Sequence, residues 1–181
     1  MLALPCEVGC GGCMDLKLKT ISKSGIPEAI AKAELYRYLN EPEEAESICR
    51  DVLAADPKHM LGLRTLGLAI TDQFTGGPAD RYGEVEVIFQ SLADPCERLY
   101  YSGLLYERRV KAQLRGGRAP HTLLPLLEKA LQCFADAEKI RPPGNDDAIL
   151  RWNRCVRLLQ SQPDFEMEEA ATFEAHDSPP V

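Results

Sequence analysis

Histidine is scarce in this chain: three residues in 181, at His59, His121 and His176. None stands in a His-Glu-x-x-His pattern, and no Gly-x-Ser-x-Gly elbow is present. The diglycine Gly76-Gly77 is continued by Pro78 rather than by the Gly-Lys-Ser/Thr that a phosphate loop needs. Without a nucleophile–base pair or a metal-ligand constellation, the sequence points away from an enzyme, and no cofactor is expected. Long apolar runs are also missing, every one falling far short of the roughly 18–20 residues of a membrane-spanning helix. The first basic residue is Lys17 and only a few apolar residues precede Pro5, which makes a poor signal peptide and leads to a cytoplasmic expectation. The net charge is −7, yet six of the 28 acids lie in residues 161–181, which hold no Lys or Arg, so the rest of the chain is near neutral and shows no nucleic-acid-binding surplus.

Cysteine is present but odd in number, at seven. Cys49, Cys96, Cys133 and Cys155 are spread through helical segments and read as small core or near-core residues. Cys6, Cys10 and Cys13 form a C-x3-C-x2-C run. Over those eight residues the chain resembles the cluster motif of radical SAM enzymes, in which three thiolates hold three irons of a [4Fe–4S] cluster. That resemblance implies an iron–sulfur or redox protein. The competing expectation is a disordered leader over 1–25, with Met14 as the true start.

From residue 26 onward the pattern is helical. Apolar spacing and turn signals predict helices at 27–39, 43–55, 59–74, 79–92, 96–115, 122–140 and 146–160. The stretch 40–57 carries Ala45, Cys49 and Val52 at i, i+4 and i+7, and stops at Asp56-Pro57, since proline disfavours an α conformation in the residue before it. Ala130, Phe134, Ala137 and Pro142 repeat those offsets. Gly67 inside the third helix weakens it unless a neighbour packs closely there. Thr122 is the expected N-cap of the sixth helix, and Asn145 to Asp147 cap the seventh. Each histidine is read as a surface residue. Beyond Pro163 the composition is acidic and disorder is expected over 161–181.

The stops at Pro57, Pro95 and Pro142 are 38 and 47 residues apart, or 34 plus insertions of 4 and 13 that fall in the TGGP and RGGRAP stretches. Over residues 26–160 the chain resembles a tetratricopeptide repeat (TPR) protein, with Ala33, Tyr36, Ala45 and Pro57, then Leu63, Leu66, Gly67 and Pro95, then Ala130, Phe134, Ala137 and Pro142 at motif positions. Lys32, Gly83, Gln90 and Arg108 depart from the pattern. The resemblance implies an all-α fold, a right-handed superhelical stack of antiparallel helix pairs with about seven helices. It also implies a non-enzymatic adaptor that binds a peptide or partner protein in a concave groove lined by the first helix of each pair, and the arginines expected on that groove suit an acidic ligand. The residues expected on that groove are Arg37 and Tyr38, Arg64 with Leu68 and Asp72, Tyr106 and Arg109, and Asn153 and Arg157. The TPR clamp for chaperone C-termini uses a Lys and an Asn where this chain has Ile30 and Glu34, so that ligand is not expected. Size, acidity and repeat number leave a second TPR reading open, a cytosolic chaperone of the type III secretion class. Phe165, Met167 and Phe173 among the terminal acids suggest that the tail could itself occupy the groove.

Overall fold

The structure is a computed structural model that describes residues 16–161 and Phe165. The cysteine run at 6–13, Met14 and the tail from 166 onward lie outside the described residues. Within them the fold is all-α: helices α1 (Ile26–Tyr38), α2 (Pro42–Ala55), α3 (Met60–Asp72), α4 (Tyr82–Gln90), α5 (Pro95–Arg115), α6 (Leu124–Ile140) and α7 (Asp147–Gln160), with short 3-10 turns before α1 and α6. No helix among them is long and apolar enough to cross a membrane.

Proline sets several of these boundaries. Asp56 and Arg141, which close α2 and α6, are both extended, as the ring of a following proline requires. Asp94-Pro95 plays a different part from the one expected. The fourth helix already ends at Gln90, and Asp94 opens α5 by accepting from the Cys96 N–H at 2.8 Å, with Pro95 in the first turn where no N–H is needed. The same logic moves the start of α6. Pro125 is tolerated only in a first turn, so residues 120–123 form a 3-10 turn, and Thr122 donates to the Ala119 carbonyl instead of capping the helix. At α3 the cap is His59, whose Nδ1 accepts from Gly62 N–H at 3.0 Å, so this half-buried histidine has a structural task and is not the solvated residue expected. Asn40 takes the left-handed conformation that closes the α1–α2 turn, φ 60°.

Each helix packs on the next in sequence, and α1 also touches α3, α3 touches α5, and α5 touches α7. Two main apolar clusters result. One joins Ala33, Cys49, Leu66, Phe89 and Leu105 across α1 to α5; the other joins Leu104, Leu127, Phe134, Cys155 and Phe165 across α5 to α7. The long helix α5 serves both, with Leu105 on one side and Leu104 on the other. Gly67 is where α3 meets the Phe89 ring: a Cβ there would stand 2.3 Å from Cε1. Burial pushes the Cys49 and Cys155 thiols up to about 12, so both remain protonated packing groups.

A polar knot ties the even-numbered helices. Glu46 of α2 accepts from Arg81 Nη1 at 2.6 Å, from Gln73 Nε2 at 2.8 Å and from Arg50 Nη2 at 2.6 Å, and Arg50 also reaches Glu84 of α4 at 2.8 Å. The Arg81 hydrogen bond above all holds the Glu46 carboxyl at about 2, against 4.5 for the free group. A folded-state value below the unfolded one means that this knot stabilises the fold above pH 4.5 and loses that contribution as pH falls towards 2. Chemical denaturation between pH 5 and pH 2.5 is expected to show a declining midpoint. Glu46→Gln should have a lower midpoint near neutrality and a shallower decline; an unchanged slope would detach the knot from acid stability.

Candidate functional site

The face shared by α1, α3, α5 and α7 carries the densest charge contacts, and they run from helix to helix. Asp72, the last residue of α3, accepts from Arg37 Nε of α1 at 2.8 Å and from Arg108 Nη1 of α5. Arg108 also donates to Thr71 Oγ1 at 2.6 Å and to the Leu68 carbonyl at 3.2 Å. Burial holds its guanidinium below the usual arginine range, with Asp72 opposing that shift. Two turns back along α3 from Asp72, Arg64 donates to Glu97 of α5 at 3.1 Å. Farther across, the carboxylate of Glu107, fully buried in α5, accepts from Lys111 Nζ and lies 3.7 Å from Arg151 of α7. Its second oxygen has no hydrogen-bond partner among the described residues.

Two hollows open on this face. One, of ≈ 230 Å³, is bounded by Thr71, Asp72, Arg108, Lys111, Arg115 and Arg151; the other, of ≈ 180 Å³, lies between Arg64, Glu97, Tyr101 and the α6–α7 loop with Arg141 and Asn145. The first is strongly cationic, and Asp72 and Glu107 offset only part of that charge. Guanidinium forks and an ammonium so placed suit carboxylate or phosphate groups rather than cations.

The residues expected from sequence are distributed unequally. Arg37 and Arg64 stand on this face, each already paired with a carboxylate of the neighbouring odd helix. Tyr38 is 89% exposed at the end of α1, beside a hollow that it shares with Glu34 and Arg37. Asn153 and Arg157 are exposed on α7. Tyr106 and Arg109 turn towards α4 instead: the Tyr106 hydroxyl is 3.4 Å from Glu86, and the Arg109 guanidinium lies 4.2 Å above the Tyr82 ring. Lys111, Arg115 and Arg151 were not singled out from sequence, and Arg108 only as a departure from the repeat pattern. The signal that could have found those on α5 is the spacing Glu97, Tyr101, Leu104, Arg108, Lys111, Arg115, one continuous stripe along that helix.

Among the described residues no group of three or more His, Cys, Asp or Glu side chains is placed to hold a metal. Comparison with protein-family models, curated proteins and solved structures gives no match for this chain.

Proposed function

We propose that residues 26–160 form a TPR-like solenoid, a right-handed stack of antiparallel helix pairs, that acts as a non-enzymatic adaptor and holds an acidic segment of a partner protein along the odd-helix face. The observation that carries this reading is the separation of its cross-hairpin ion pairs. Arg37–Asp72, Glu46–Arg81, Arg50–Glu84 and Arg64–Glu97 join residues 35, 35, 34 and 33 apart. In a stack of repeats, equivalent positions of adjacent units lie side by side, so contacts one period apart are what a 34-residue repeat produces. The contacts α1–α3, α3–α5 and α5–α7 support the same arrangement, with the first helix of each pair lining one continuous surface.

The preference for an acidic ligand follows from the sign of that surface. Arg37, Arg108, Lys111, Arg115 and Arg151 face Asp72 and Glu107, which leaves unneutralised positive charge over a chain that is acidic overall. Fluorescence anisotropy with labelled hexaglutamate and hexalysine tests it. Hexaglutamate is expected to bind more tightly than hexalysine despite the acidic residues of 161–181 and to weaken with salt, and Arg115→Glu combined with Arg151→Gln to weaken hexaglutamate by at least about tenfold. Equal affinity for the two peptides, or no change in a variant whose circular dichroism matches the parent, would remove the proposal.

A further inference from the structure

A hollow of ≈ 560 Å³ lies on the opposite side of α5, between the loop Gly76-Gly77-Pro78 and the loop Gly116-Gly117-Arg118. Arg109 projects into it. Most other arginines of the fold have a protein acceptor. Arg37, Arg50, Arg64, Arg81, Arg108, Arg141 and Arg151 face carboxylates, and Arg98 donates to the Leu92 and Ala93 carbonyls. Arg109 has neither a hydrogen bond nor an ion pair among the described residues, and its Nε is buried without a partner. A cation partly removed from water without a carboxylate in hydrogen-bonding contact is costly, and the Tyr82 ring beneath it recovers only part of that cost.

The surroundings are built in a way that holds this arginine ready. The Tyr82 ring that supports the guanidinium is fixed by its hydroxyl, 2.8 Å from Asp80 Oδ2, and by an edge-on contact with Phe74 at 4.5 Å. Asp80 is the acid nearest to hand in the lining, yet its carboxylate is already occupied. It accepts from Thr75 N–H at 2.9 Å, Gly76 N–H at 2.7 Å and Thr75 Oγ1 at 3.2 Å, as well as from Tyr82. Gly76 lets this loop lie flat on α5: its φ is +88°, and a Cβ would stand 2.4 Å from the Ala112 carbonyl oxygen. Gln113, nearly buried, and Arg118, exposed, complete the wall. We infer that the hollow between the two diglycine loops is an oxyanion site, in which the Nη groups of Arg109, backed by Arg118, take a carboxylate or phosphate group from solvent. The guanidinium carbon lies 4.2 Å over the Tyr82 ring centroid and its nitrogens make no hydrogen bond among the described residues, so the Nη groups are available to the fork of acceptors that either oxyanion presents. The site lies across α5 from the odd-helix face and stands whether or not that face binds peptide.

Amide NMR of the full chain tests the inference, because Gly76, Gly77, Gly116 and Gly117 report from the rim. Titration with inorganic phosphate and, separately, with glutarate is expected to move these four amides in a saturable way, while sodium chloride at matched ionic strength does not. The stronger of the two arms identifies the ligand class. Arg109→Gln is expected to weaken binding by about tenfold or more, Arg109→Lys to weaken it less, and Arg118→Gln, at an exposed position, to weaken it without disturbing the spectrum elsewhere. The inference is overturned if the shifts scatter over the surface and follow ionic strength alone. It is equally overturned if Arg109→Lys and Arg118→Gln, both folded, bind as the parent does.

Discussion

Phe134→Ala is expected to cost about 3–5 kcal/mol of unfolding free energy, the range for emptying a buried phenylalanine site. Phe134 is fully buried, sits 6.0 Å from the Tyr100 ring, and lies in the cluster that holds α6 and α7 to α5. Against a typical domain stability of about 5–15 kcal/mol the loss is large. Where it falls along the chain matters more than its size. If helix pairs stack so that each unit depends on its neighbours, amide hydrogen exchange in α6 and α7 should accelerate strongly while α1 to α3 keep their protection. Uniform acceleration from α1 to α7 would mean a single cooperative core, and would count against the repeat reading of the fold. Phe134→Leu, which refills most of the space, should recover much of the loss.

Asp72→Ala is the second large effect, and it acts through charge. One carboxylate faces Arg37 from α1 and Arg108 from α5, and all three side chains are about a quarter exposed or less. Its removal leaves two arginines facing each other across the end of α3 with no acid between them. A cost of about 2–3 kcal/mol is expected, from the lost charge-assisted hydrogen bonds and from repulsion. Repulsion is screened by salt, so urea denaturation should show a defect that shrinks when sodium chloride rises from 0.05 M to 0.5 M. Asp72→Asn keeps an acceptor for one guanidinium and should lose less. A defect of the same size at both salt concentrations would assign the loss to packing rather than to the charge bridge.

Much of the helical framework was legible because its punctuation is chemical. Pro57 and Pro142 act on the backbone of the preceding residue whatever surrounds them, and the helix ends they mark stand where the sequence puts them. Pro95 and Pro125 were harder, since proline closes one helix and opens another with equal ease, and only the acceptor at Asp94 or the surrounding turn decides between them. The late start of α4 depends on Asp80 folding back onto the N–H groups of Thr75 and Gly76, a contact that no helical periodicity encodes.

The charged face was legible on α3 and obscured on α5. Arg64, Leu68 and Asp72 are four residues apart and can share only one face. On α5 the chain offers doublets, Tyr100-Tyr101, Leu104-Leu105 and Arg108-Arg109, so that two faces about 100° apart have nearly the same chemistry. Sequence spacing could not choose between them. In the structure two of these doublets split: Leu104 and Leu105 go to different cores, and Arg108 and Arg109 to α3 and α4. The long middle helix is two-sided, and that is why one arginine became part of a charge bridge and its neighbour was left without an acceptor among the described residues.

Phe165 gives the chain a practical boundary. It is 2% exposed and shares a cluster with Leu123, Leu127 and Leu158, although the last helix ends at Gln160. The described core therefore runs past its last helix to a plug. A protease that cuts between the two would strip the stopper from an oily seat, and the shortened chains would tend to seek one another.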